Sequence, residues 1–111
     1  MRRYIKGFDA IWSRRSIGMC ELLERAHALG PFDRSLVSFG IMWAPTGGSD
    51  AEEIMITFGV SRTDYLALLT GALTPRSDDP RQAKELKTIL REELLRAWKF
   101  NRENPVQAFE P

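Results

Sequence analysis

The stretch SDAEEIMITFGVSRTDYLALLTGAL, residues 49–73, decides the fold, because two helix starts, one tight turn and a matched apolar set fall within it. Ser49 with Glu52 has the form of a capping box, in which the hydroxyl accepts from the backbone N–H three residues on and the carboxylate reaches back. A helix is predicted from there through Ile54, Met55 and Phe58, ending at Gly59, which takes a left-handed backbone without a Cβ clash. Ser61, followed by Asp64, restarts the helix by the same logic. Ile54, Phe58, Val60, Tyr65 and Leu68 then fall where a helix-turn-helix buries side chains between its helices. Met55 stands where such a unit usually has Ala, which would hold the first helix further from its partner.

The residues expected to face outward early in the second helix are Arg62, Thr63, Leu66 and Ala67, with Ser61 at the cap. Only Arg62 among them offers a bidentate contact to guanine; Leu66 and Ala67 could touch no more than thymine methyls. The competing reading is a helical hairpin whose short turn serves packing alone.

On the N-terminal side, Phe8, Ile11, Trp12, Met19, Leu22, Leu23, Ala26 and Leu29 recur by threes and fours, which predicts one or two helices over residues 4–29. Ser16 is a candidate cap for a second of these, and Gly30-Pro31 a stop. Arg14 and Arg15 would then sit just before the cap, either as solvated charges or as a phosphate clamp. Asp33 is read as the cap of a short helix through Leu36, Val37, Phe39, Ile41, Met42 and Trp43. That segment is apolar on most sides and so is expected to be buried, with a strand as the alternative. Pro45 to Gly48 forms a loop that lacks both the preceding strand and the Lys-Ser/Thr ending of a phosphate-binding loop.

On the C-terminal side, residues 74–80 read as a loop, with Asp79 capping the next helix and Pro80 at its first position. That helix is predicted to run to about Phe100 on a stripe of Ala83, Leu86, Ile89, Leu90, Leu94, Ala97 and Trp98. Arg81, Lys84, Lys87 and Arg91 share a flank, as a solvated face or a second phosphate-facing surface, and Glu92 with Arg96 is spaced for an i, i+4 pair. Residues 103–111 carry no periodicity and read as a tail, frayed or used in packing.

With 111 residues the chain suits one domain, and 43% hydrophobic with 28% charged residues is ordinary for a globular one. A net charge of +1 excludes any argument from a strongly basic balance. The charge is uneven, however. Residues 1–16 hold five Arg or Lys against one Asp, whereas residues 41–60 hold three carboxylates and no base. The opening lacks the apolar run of a signal peptide, and no stretch is long and apolar enough to span a membrane. The single cysteine, Cys20, fits a reducing cytoplasm. His27 with Glu24 and Cys20 falls short of a zinc set, and Cys20 and His27 lie two helical turns apart, beyond reach for a nucleophilic dyad. The pairs Glu52-Glu53 and Asp78-Asp79 are explained by helix starts, so no enzyme and no cofactor is expected.

The run from Trp43 to Leu73, with Glu53-Ile54, Phe58-Gly59-Val60-Ser61 and Tyr65 ahead of a leucine-rich turn, is followed by Asp78-Asp79-Pro80 opening a charged helix. Over roughly residues 39–95 it resembles a family of small uncharacterised actinobacterial helix-turn-helix proteins. The resemblance implies an all-helical fold and DNA binding. The chain departs from the family pattern at Asp64, Leu66 and Ala67, and residues 1–38 have no counterpart in it.

The expectation is therefore an all-α bundle of about five helices in one domain over residues 1–102, with a helix-turn-helix at about 49–73 and a long C-terminal helix. In function it is a cytoplasmic DNA-binding regulator, a homodimer on double-stranded DNA. The helix from Ser61, Arg62 and Thr63 would enter the major groove, while Arg14, Arg15, Lys84, Lys87 and Arg91 contact phosphates. The alternative is a helical protein-interaction module, an adaptor or antitoxin-like partner, which would require a contiguous exposed apolar patch.

Overall fold

The computed structural model describes residues 7–103, with side chains as far as residue 98. Five α-helices and one short 3₁₀ turn make up the regular structure, and the described residues contain no strand. They are α1 (Ala10–Arg25), α2 (Pro31–Trp43), a 3₁₀ turn (Ala44–Thr46), α3 (Ala51–Phe58), α4 (Arg62–Ala72) and α5 (Arg81–Glu103). The all-α bundle read from the sequence is the observed fold, and the α2 segment is helix rather than strand. Of residues 103–111, expected as a tail, Glu103 instead ends α5 and 104–111 lie outside the described residues, as do Arg2, Arg3 and Lys6 of the basic arm.

Caps explain where the helices begin, though several differ from the sequence expectation. Asp9 starts α1 by accepting from the Trp12 N–H at 2.9 Å, and the helix continues unbroken through Ser16. Ser16 is fully buried there and caps nothing; its hydroxyl has no hydrogen-bond partner. The helix stops well short of Gly30, since His27 takes a left-handed backbone at φ 59° and the Ala28 N–H donates to the Leu23 carbonyl at 2.9 Å. Gly30 precedes α2 with Pro31 at the first position, which places Asp33 inside the first turn instead of at the cap. For α3 the cap is Asp50, accepting from the Glu53 N–H at 3.0 Å, one residue later than the Ser49 box. Ser49 is buried, and its hydroxyl donates to the Asp50 carbonyl instead. Ser61 caps α4 as expected, accepting from the Asp64 N–H at 3.0 Å across the left-handed Gly59.

Asp79 does not cap α5. Its carboxylate accepts from the Arg76 N–H at 2.9 Å and from the Lys87 Nζ at 2.7 Å, so the loop before α5 is fastened to that helix from inside. Burial works to raise the Asp79 carboxyl, but the Lys87 hydrogen bond, the Arg76 N–H and the charges of Lys87 and Arg76 outweigh it and hold the group below the usual carboxylate range.

α2 is the central element, packed on α1, α4 and α5, while α1 lies against α2 and α5 and α3 lies against α4. The centre of the bundle is aromatic. Tyr65 of α4 stacks on Phe58, with centroids 5.5 Å apart, and meets Phe39 and Trp98 at 5.5 and 4.9 Å. Both polar tips are matched: the Tyr65 hydroxyl donates to the Leu36 carbonyl at 2.6 Å, and the Trp98 indole N–H donates to the Gly40 carbonyl at 3.0 Å. A Cβ at Gly40 would stand 3.0 Å from the Tyr65 hydroxyl, which would have to give way by a few tenths of an ångström. Burial pushes the Tyr65 phenol well above its ordinary value. At the other end, Phe8 packs edge-on to Trp12 at 4.7 Å, and the Trp12 indole donates to Glu93 at 2.9 Å. Arg96 of α5 lies over the Phe8 ring, just ahead of α1, at 4.9 Å.

Some expected core positions face water. Leu68 is 38% exposed, and Leu66 and Leu69 fill the interior of α4 in its place. Met42, Met55, Ile11, Leu22 and Ile89 are also exposed; Met55 therefore does not wedge α3 away from α4.

Candidate functional site

Two features bear on function: the amino-terminal end of α4 and the surface between α2 and α3. Arg62, the residue expected to read a base, is turned inward. Its Nη1 donates to the Ser49 carbonyl at 3.0 Å, its Nη2 donates to the Trp98 carbonyl, and the guanidinium lies 5.1 Å from the centre of the Trp98 ring. This clasp joins the loop before α3, the start of α4 and the late part of α5. Gly48 makes it possible. With φ at +106°, it brings the loop so close that a Cβ would lie 2.7 Å from the Trp98 ring and 3.0 Å from the Arg62 Nη1. Ser61 and Thr63 are exposed, the Ser61 hydroxyl being engaged by its cap, and Ala67 is exposed too. Leu66, expected outward, is buried at 9% exposure because it lies on the same side of α4 as Tyr65 and Leu69.

The proposed phosphate contacts are dispersed. Arg14 and Arg15 are exposed on α1, a helix that packs on α2 and α5 and not on α3 or α4. Lys87 is 1% exposed and paired with Asp79, so it is no surface cation. Lys84 and Arg91 are half-buried, and Arg91 donates to the Thr74 hydroxyl at 3.5 Å. Among the described residues, Asp50 at the α3 cap, Glu52 in α3 and Asp64 in the first turn of α4 are exposed and acidic.

The second feature was not legible as a site. Phe32 and Met42, at opposite ends of α2, are 56% and 63% exposed. Between them an open groove of about 470 Å³ runs over Ser38, Phe39, Thr57 and Phe58, with Phe58 edge-on to Phe39 at 5.1 Å and to Phe32 at 6.3 Å. The one sequence signal was that α2 is apolar on most sides. Among the described residues, the neighbours of α2 leave its Phe32 and Met42 side chains exposed.

A second open pocket, about 570 Å³, lies over Lys84, Glu85, Thr88 and Ile89 of α5. Cys20 is fully buried, and burial pushes its thiol up, away from the reactive thiolate. His27 is exposed at the end of α1, and no group of three or more His, Cys, Asp or Glu among the described residues is placed to hold a metal ion. Nor is any helix among them long and apolar enough to cross a membrane. No family model, no curated protein and no solved structure matches the chain.

Proposed function

We propose that the protein is a helical interaction module that receives an apolar helical segment of a partner protein in the groove between α2 and the end of α3. The observation that carries this reading is the pair Phe32 and Met42, both more than half exposed at the two ends of an aromatic-floored trough. A helix of 13 residues such as α2 is about 20 Å long, enough to seat two to three turns of a partner helix with anchors at i, i+4 and i+7. Ser38 and Thr57 on the walls supply polar edges to fix its orientation. The single buried cysteine suits a cytoplasmic setting.

A second reading is docking on double-stranded DNA as a homodimer, with α4 in the major groove. It is favoured by the hairpin geometry, the left-handed Gly59 and the Ser61 cap, and by the resemblance over residues 39–95. It relies on Ser61, Thr63 and Ala67 at base edges and on Arg14, Arg15, Lys84 and Arg91 for phosphates, without the bidentate reach of Arg62.

One pair of selections separates the two. A displayed-peptide selection on the wild type, counter-selected on Met42→Asp, should enrich sequences with apolar residues at helical spacing. A random-duplex selection on the same protein should enrich no motif. Recovery of a duplex motif whose binding is lost in Thr63→Ala, together with no peptide enrichment, would overturn the groove in favour of DNA.

A further inference from the structure

The outer face of α1 is left uncovered by the other helices. Ile11 is 73% exposed and Leu22 48% exposed. Arg14, Arg15 and Arg25 are exposed on the same helix, and among the described residues none of them has a carboxylate partner. Gly18 lies seven residues after Ile11 and four before Leu22, which places it on that face, framed by Arg14 and Arg15 one turn back. Nothing stands within 4 Å of where its Cβ would be, so the face has a shallow gap at its middle.

α3 presents the complement. Met55 and Ile56 are 53% and 73% exposed, and both lie one turn from the exposed Glu52. Asp50 at the cap and Glu53 in the first turn add negative charge, and α3 carries no Lys or Arg. Because α1 packs on α2 and α5 while α3 packs on α4, the two faces do not meet within one molecule.

We propose that they meet between molecules: the α3 face of a second copy of this chain docks on the α1 face of the first. Ile56 enters the gap at Gly18, Met55 lies along the Ile11 and Leu22 side chains, and Glu52 and Asp50 reach Arg14 and Arg15. Pairing of α3 with α3 sets like charges against one another, so the complementary charges favour α1 as the partner of α3. Every copy carries both faces, and the contact either closes as a two-fold pair or continues from copy to copy. Neither face lines the α2–α3 groove, so the inference stands or falls apart from the function proposed above.

Sedimentation equilibrium of the full chain at low ionic strength tests it. The mean mass should rise above one chain as concentration rises from micromolar towards millimolar. It should return to one chain in about 1 M salt, where the screening length falls to about 3 Å. Gly18→Leu, whose Cβ would meet nothing within 4 Å in the single molecule, should keep the helical circular-dichroism spectrum and lower the association constant at least about tenfold. Arg14→Glu/Arg15→Glu and Glu52→Arg/Glu53→Arg should each be monomeric alone and associate when mixed, because the mixture restores opposite charges. A wild-type mass of one chain throughout the low-salt series would overturn the proposal. So would association indifferent to salt or to Gly18→Leu, or a mixture of the two charge-reversed variants that stays monomeric.

Discussion

His27 closes α1 in a left-handed conformation that glycine adopts without penalty and a side chain does not. His27→Gly should therefore stabilise the fold by about 0.5–1 kcal/mol, read as a higher urea midpoint with an unchanged slope. The Asp79 and Lys87 pair works in the opposite sense. Both side chains are nearly inaccessible, and Asp79→Ala strands a buried ammonium, which should cost about 3–5 kcal/mol. Lys87→Met should cost less, since the carboxylate keeps the Arg76 N–H. The Asp79 carboxyl titrates below its unfolded value of about 3.9, so its contribution is complete above that pH and is lost as pH falls through the lower folded value. Urea midpoints of wild type and Asp79→Asn, measured downward from about pH 5, should converge as the wild type loses this contribution. At this scale a cap is legible where nothing else claims the side chain, as at Ser61. Ser16 and Ser49 are buried by the packing, Asp33 falls behind Pro31 in the first turn of α2, and Asp79 is taken by Lys87, two turns into the following helix.

Among the elements, the α3–turn–α4 hairpin was legible to within one residue, because Gly59 and the Ser61 cap act through neighbours in the chain. Arg62 was not legible in the same way. Its place at the start of α4 suggests an outward side chain, but the carbonyls it satisfies come from Ser49 and Trp98, 13 and 36 residues away. The fastening makes a prediction that a base-reading arginine would not. Arg62→Ala should lower stability by about 1.5–3 kcal/mol through two lost charged hydrogen bonds. Arg62→Lys should recover only part of this, because a single ammonium cannot bridge both carbonyls and lie flat on Trp98. Thermal melts of the two variants against wild type check the order. A value for Arg62→Ala equal to wild type would mean that the clasp does not hold the hairpin.

For the molecule as a whole, stability should be graded by how many neighbours each helix has. α2 touches three other α-helices, as does the longer α5, whereas α3 is a short helix lying, among the described helices, against α4 alone, anchored by the fully buried Ile54 and by Phe58 edge-on to Phe39. Native-state hydrogen exchange should therefore find the strongest protection in α2, near the global unfolding free energy, and the weakest helical protection in α3. Equal protection in the two would show that the bundle opens only as one unit. The same uneven coverage leaves, among the described residues, an open groove along α2 and exposed apolar side chains on α1.

The chain alone determined that this is an all-helical domain, with a tight hairpin near residues 59–61 and a long final helix. Periodicity, glycine and capping residues act over three or four positions, a range that the sequence displays directly. Only the tertiary structure decided which way Arg62 and Leu66 face, that Lys87 is buried against Asp79, and that Arg14 and Arg15 lie on a helix not packed on the hairpin. The physical reason is that burial and ion pairing depend on which helices become neighbours, and helices apolar on more than one side have several packings open to them until the whole bundle selects one.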